Sequence, residues 1–364
     1  MCIGSTIRRI IRAAALASGV IACVGPSGSG STPAPTASAT VAAMPTPAVT
    51  ATPAATATLA PTSTPPALPE RCRDGDQALT SRLARLEADV EEAMAGYPGQ
   101  WALALVDLAC GIERAVRAEH FQYTASAGKI VPVIAALRAV DERTVALPRP
   151  WEPAPLACGV TPTPAIRAGD PIDLATLEAP LFLVMRHSCD EEADLINAMV
   201  TPQQIKEVLE RAGVSGRAQF QHSWRYAGMT ALDLTRIWAA LLNGRLLGPG
   251  LTTYLLDLAA RPEIPAGLDT FPAEARIPGH QYGQKAGFCI VCPPYSLIGL
   301  GAGYVRPVEE PPDPDSVGGT RAGPHRGVAM VLMVQTTRPG GGPQRRDVFP
   351  LLVAYVLGGN AAGP

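Results

Sequence analysis

The sequence predicts a mixed α/β (α+β) domain: a five-stranded antiparallel sheet drawn from both chain ends and flanked by helices, with an all-helical subdomain inserted between them. Three observations predict it. Two β-rich runs, Trp101 to Leu108 and Glu113 to Glu119, lie close together around Gly111. Similar runs return only late in the chain, at Tyr282 to Ile290, Tyr295 to Tyr304 and Arg326 to Thr337, while Ser126 to Ala260 reads mainly as helix. Strands of five to ten residues bounded by Gly and Pro, and longer Ala/Leu-rich patterns between them, are how those two classes appear in sequence.

The N-terminus carries Arg8, Arg9 and Arg12, then an apolar run, Ala13 to Ala22, that is too short to cross a bilayer. It ends in Val20, Ile21, Ala22 and Cys23. This resembles a bacterial lipoprotein signal, which implies removal of residues 1–22 and lipidation of Cys23; an ordinary secretory signal with an incidental cysteine is the alternative. Both imply export. From Val24 to Pro69 there is no charged residue, only Ala, Thr, Pro, Ser, Gly and a few apolar residues, so this stretch cannot build a core. At about 3.1 Å per residue in extended proline-rich form, residues 23–69 make a tether on the order of 100 Å long. Residues 70–358 are then the folded domain and 359–364 a tail. With 364 residues, 47% hydrophobic, the chain suffices for one sizeable two-part domain, expected to be monomeric. A formal charge of −2 leaves no electrostatic footprint for nucleic acid.

Within the domain, a charged, Ala/Leu-rich pattern from about Gln77 to Met94 reads as a helix, broken by Gly96 and Pro98. It travels roughly 27 Å at 1.5 Å per residue, and the strand from Trp101 to Ala109 returns about as far. Cys72 and Cys110 can then meet. Six cysteines lie in the exported part (Cys72, Cys110, Cys158, Cys189, Cys289 and Cys292), where disulfides are permitted; six allow 15 connectivities. Cys289 and Cys292 sit on a strand before Pro293 and Pro294, with no helix to activate a thiol, so neither a redox site nor a metal is expected there. Pro132 should kink the helix after Ser126 unless it falls in the first turn. Arg306 to His325 reads as a loop, and Arg346 to Leu357 as a closing helix.

Ser126 and Lys129 stand three apart, Ser-x-x-Lys, which on one helical turn puts a hydroxyl beside an amine. A desolvated, neutral lysine there could take the serine's proton and make it a nucleophile. Further on come Val184 to Leu195, containing Ser188 and Asp190, and then Tyr282 to Phe288, containing Lys285, Ala286 and Gly287. In order and content the chain resembles the class A β-lactamase and penicillin-recognising serine enzymes, whose signatures are Ser-x-x-Lys, Ser-Asp-Asn and Lys-Thr-Gly. The likeness spans about residues 76 to 358.

That resemblance implies a transpeptidase-like fold and an acyl-enzyme mechanism without a cofactor or metal. Ser126 would be the nucleophile, Lys129 the base, Ser188 the proton relay and Lys285 the electrostatic anchor. The backbone amides of Ser126 and Phe288 would form the oxyanion hole, and Asp190, Ala286 and Gly287 would touch a small-molecule or peptide acyl substrate. Ser188 has a plainer alternative as a helix cap with Glu191, and Asp190, Glu191, Glu192 and Asp194 as first-turn carboxylates. Three departures weaken penicillin recognition. Asp190 replaces an asparagine, is acceptor-only when ionised, and could pair with Lys129 or Lys285. Ala286 replaces a hydroxyl. Between Glu210 and Asp233 there is no Asp or Glu, where class A enzymes hold the glutamate that activates the deacylating water; Gln219, Gln221 and His222 lie there instead. The expected function is therefore an exported, membrane-anchored serine hydrolase with slow deacylation, acting on a β-lactam or a related amide or peptide. The alternative is a lipoprotein of the cell envelope that keeps the fold, binds, and does not catalyse.

Overall fold

The computed structural model of the protein describes residues 70–95, 99–144, 165–167, 172–214, 216, 218, 220, 224, 227–262, 279–289, 297–307 and 327–336. Helix α1 (Glu70–Met94) starts earlier than the expected Gln77. Leu83, Leu86 and Val90 are buried at helical spacing, so one face packs against the sheet while charged residues face outward. Strands β1 (Gly99–Asp107) and β2 (Ile112–Val116) follow as an antiparallel hairpin. Its turn is set by Asp107, whose carboxylate accepts from the amides of Ala109 and Cys110 at 2.9 Å each, and by Gly111 at φ +64°.

The predicted meeting of Cys72 and Cys110 is observed, as a disulfide with a Cα–Cα distance of 5.8 Å that pins the start of α1 to this turn. Cys189 and Cys289 are also disulfide-bonded, while Cys158 and Cys292 lie outside the described residues. With 38 residues between its cysteines, the Cys72–Cys110 bridge restricts a loop whose closure entropy corresponds to about 4 kcal/mol. Replacing both cysteines by alanine is expected to cost stability of that order in chemical denaturation. A loss under about 1 kcal/mol would show that packing alone holds α1.

The sheet runs β2-β1-β8-β7-β5, all antiparallel, with β5 (His280–Gln284), β7 (Leu297–Pro307) and β8 (Val328–Thr336) from the far end of the chain. Both chain ends meet where β1 pairs β8, Leu103 opposite Leu332. The expected strand Tyr282 to Ile290 is divided, so six strands replace five: β6 (Gly287–Cys289) pairs β7 separately from β5. Register continues across the break, Gln284 facing Gly303 and Gly287 facing Leu300, with Lys285 N still bonded to Ala302 O at 2.9 Å. Only Lys285 and Ala286 leave the ladder.

Both faces of the sheet are covered, which is why β1 reads as continuous apolar sequence rather than alternating. Trp101, Leu103 and Leu105 face α1 with Leu332 and Met330, whereas Ala102, Ala104 and Val106 join the helical core with Val331 and Met333. That core is built by α2 (Ile130–Asp141), α3 (Leu174–Phe182), α4 (Asp190–Ala198), α5 (Pro202–Ala212), α6 (Ala231–Leu242) and α7 (Pro249–Ala260). Helix α6 lies across β1 and β8, and its Trp238 meets Tyr304 of β7 at 5.8 Å between ring centroids. Capping boxes at Thr201/Gln204 and Thr230/Asp233 start α5 and α6. Pro132 is the third residue of α2 and falls in its first turn, where no amide partner is lost, so the helix runs on. A two-stranded ribbon, β3 (Phe121–Tyr123) with β4 (Gly228–Thr230), went unpredicted because three residues carry no readable period. The expected loop at 308–325 and closing helix at 346–357 lie outside the described residues. Among the described residues no helix is long and apolar enough to cross a membrane.

Candidate active site

Ser126 and Lys129 lie on a tight 3-10 turn, Ala125–Lys129, that leads directly into α2. Thr124 clamps its start, the amide and the hydroxyl both donating to Ala227 O, at 2.9 and 3.0 Å. Ala125 takes φ +46°, a left-handed conformation that a non-glycine residue holds only where surrounding structure imposes it. Ser126 remains partly exposed, while Lys129 is fully buried.

Lys129 Nζ donates to Ser188 O at 2.6 Å, to Cys189 O at 3.3 Å and to Asp190 Oδ1, and it sits 4.3 Å from the ring centroid of Trp224. An ammonium has three protons, and three oxygens receive them here beneath an aromatic face. Of the two lysines open to Asp190 in the sequence, the structure pairs it with Lys129.

Ser188 closes a π-helical turn, Leu183–His187, and is held at φ +62°. Such turns and such dihedrals re-aim side chains at the cost of local regularity. Helix α4 then begins with Cys189 as its N-cap and no side-chain cap, so the Ser188–Glu191 capping box is not formed. The Ser188 hydroxyl instead accepts from Lys285 Nζ at 2.8 Å. Lys285 is buried too, and its ammonium also reaches Ala286 O at 3.4 Å.

Ser126, Ser188, Lys285, Ala286 and Phe288 line one pocket, whose walls include the apolar Met185 and Pro262. Gly287 explains how the strand reaches the nucleophile. A Cβ there would overlap the Thr124 carbonyl oxygen and stand 2.9 Å from Ala127 N, so only glycine lets β6 close on the Ser126 turn. The two residues expected to supply oxyanion amides, Ser126 and Phe288, therefore flank the same space. Asp190 sits beside this pocket through Lys129, with its side chain half exposed. Gln219, Gln221 and His222 lie outside the described residues.

Trp224 was missed in the sequence. It is 2% exposed, its indole N–H donates to Asp194 Oδ1 at 2.9 Å and its backbone N–H to Asn197 Oδ1 at 3.3 Å. The available signal was a lone large aromatic in a Gly/Gln/Arg-rich segment, which says that the residue is buried but not against what. Among the described residues no group of His, Cys, Asp and Glu is placed to hold a metal ion.

A family model described as the beta-lactamase enzyme family matches residues 85–290, the span that holds Ser126, Lys129, Ser188 and Lys285. None of the curated proteins matches the chain. Among solved structures, a beta-lactamase from Sphaerobacter thermophilus superposes with a TM-score of 0.56 at 15% identity, covering 77% of this chain and 98% of that one. A beta-lactamase from Chitinophaga pinensis gives 0.56 at 16%, covering 77% and 100%. A PBP-A variant in its acyl-enzyme complex with penicillin G gives 0.53 at 17%, covering 74% and 96%. At such identities these likenesses establish the fold.

Proposed function

The chain belongs to the beta-lactamase enzyme family, and we propose that it is an exported serine hydrolase that forms an acyl-enzyme at Ser126 on a β-lactam or a related amide or peptide and hydrolyses it slowly. The observation that carries this is the convergence of Ser126, Ser188 and Lys285 on one pocket with Lys129 buried behind it. In the reaction, Ser126 Oγ adds to the substrate carbonyl as its proton passes to Lys129, which must first be neutral. The carbonyl oxygen gains charge against the amides of Ser126 and Phe288. Ser188, held by Lys285, hands a proton to the departing nitrogen as the C–N bond breaks, and Lys285 attracts an anionic group on the substrate. Asp190 and Ala286 offer poorer contacts to a penicillin's amide and carboxylate than an amide and a hydroxyl would. The Lys129–Asp190 ion pair holds the proton that must leave, which favours slow acylation.

Intact mass after exposure to benzylpenicillin and to a fluorophosphonate tests the acyl-enzyme, and mixing with a chromogenic cephalosporin separates a stoichiometric burst from continued turnover. A burst followed by poor turnover is expected, since segment 211–232 has no carboxylate to activate water. Sustained rapid turnover would refute slow deacylation. The second reading, an envelope lipoprotein that binds without catalysing, is favoured by the three oxygens that receive Lys129's protons and by Ala286; the absence of any adduct with every acylating probe would select it. Lipid anchoring at Cys23 belongs to the same proposal. Cys23→Ala should release the protein from membranes or block its processing, and a variant that still fractionates with membranes would count against the anchor.

A further inference from the structure

We propose that Trp224 sets the lifetime of the acyl-enzyme by occupying the space beside Lys129 from which water would attack the ester, an inference that rests on the function proposed above. Hydrolysis of an ester at Ser126 needs a water molecule near the carbonyl and a group to take its proton. The side of Lys129 away from its three oxygen partners is filled by the Trp224 indole, with Nζ 4.3 Å from the ring centroid. An indole accepts no proton, and its N–H is turned away to Asp194. Lys129 cannot serve while its own protons are held by Ser188 O, Cys189 O and Asp190.

The indole is also fixed in place relative to the nucleophile. Trp224 O accepts from Ala227 N at 3.1 Å, and Ala227 O accepts from both the amide and the hydroxyl of Thr124, two residues before Ser126. Thus the segment that brings the indole and the turn that carries Ser126 form one hydrogen-bonded unit, with Asp194 and Asn197 of α4 holding it from the other side. A buried aromatic on a cation, anchored at its edge and at its backbone, excludes water without offering a base. The function that follows is a trap or sensor for acylating compounds rather than a catalyst with rapid turnover.

The test loads the exported domain with a fluorescent penicillin, removes the excess, and follows loss of the adduct by intact mass, with the acylation rate measured separately. Trp224→Phe, which keeps an aromatic face, should hold the lifetime within about threefold. Trp224→Glu should shorten it at least tenfold while changing acylation less, because a carboxylate beside Lys129 can take a proton from water. That water adds to the carbonyl, the acyl–Oγ bond breaks, the acid departs, and the proton is passed to Ser126 Oγ. Asp194→Ala loosens the indole without emptying its site and should shorten the lifetime severalfold, which keeps the inference testable if Trp224→Glu does not fold. Lifetimes unchanged in folded Trp224→Glu, or in Asp194→Ala where Trp224→Glu fails to fold, overturn this inference alone. Failure of the original protein to form any adduct overturns it together with the proposed function.

Discussion

Ser126→Ala is expected to abolish covalent labelling by benzylpenicillin and by a fluorophosphonate, and Lys129→Ala to slow labelling by a factor of about a hundred or more, the usual range for losing a general base. Removing Lys129 also leaves Ser188 O, Cys189 O and Asp190 without a donor they share in a fully buried place, so the rate must be measured on protein shown to be folded. Lys129→Arg should not rescue labelling. Arginine does not give up its proton at working pH, and its planar fork does not fit a space shaped around one ammonium and an indole. Asp190→Asn should raise the labelling rate severalfold by removing the negative charge that favours protonated Lys129. Labelling that persists in Ser126→Ala would place the nucleophile elsewhere. An unchanged or lower rate in folded Asp190→Asn would show that the carboxylate does not restrain Lys129.

Gly287→Ala is expected to lower the acylation rate about 10²- to 10³-fold, the range seen when one oxyanion donor is lost. The methyl group would overlap the Thr124 carbonyl, which is backbone and cannot swing aside, so β6 must withdraw and carry Phe288 N away from Ser126. Gly250→Ala is the matched control. It lies inside α7, where a Cβ meets nothing within 4 Å, and acylation should be unaffected. A Gly287→Ala protein that labels within threefold of the original would mean that the β6 approach does not build the oxyanion site.

The sequence by itself determined whatever rests on short-range spacing. Ser126 and Lys129 share a turn because they are three apart, and Asp107 with Gly111 sets the hairpin because both lie within it. The disulfide between Cys72 and Cys110 followed from matching the lengths of one helix and one strand. The same arithmetic gave one continuous line of strand from Tyr282 to Ile290, and it is continuous in register even though Lys285 and Ala286 step out of the ladder. Family likeness supplied the rest of the site list, and the structure gathers Ser126, Ser188, Lys285, Ala286 and Phe288 about one pocket.

Only the tertiary structure decided the choices among those residues. Whether Ser188 caps a helix or meets Lys285 depends on a contact across 97 positions, and whether Asp190 turns to Lys129 or Lys285 on one across 61. Trp224 joins the site through Asp194, 30 positions away, and through Ala227 and Thr124, 103 apart. Periods of 2 and 3.6 residues tell which face of an element is buried, and they say nothing about which buried neighbour a side chain meets. That is set by how elements pack, here by a strand that glycine allows to touch the nucleophile turn and by an indole that packing places on the ammonium of Lys129.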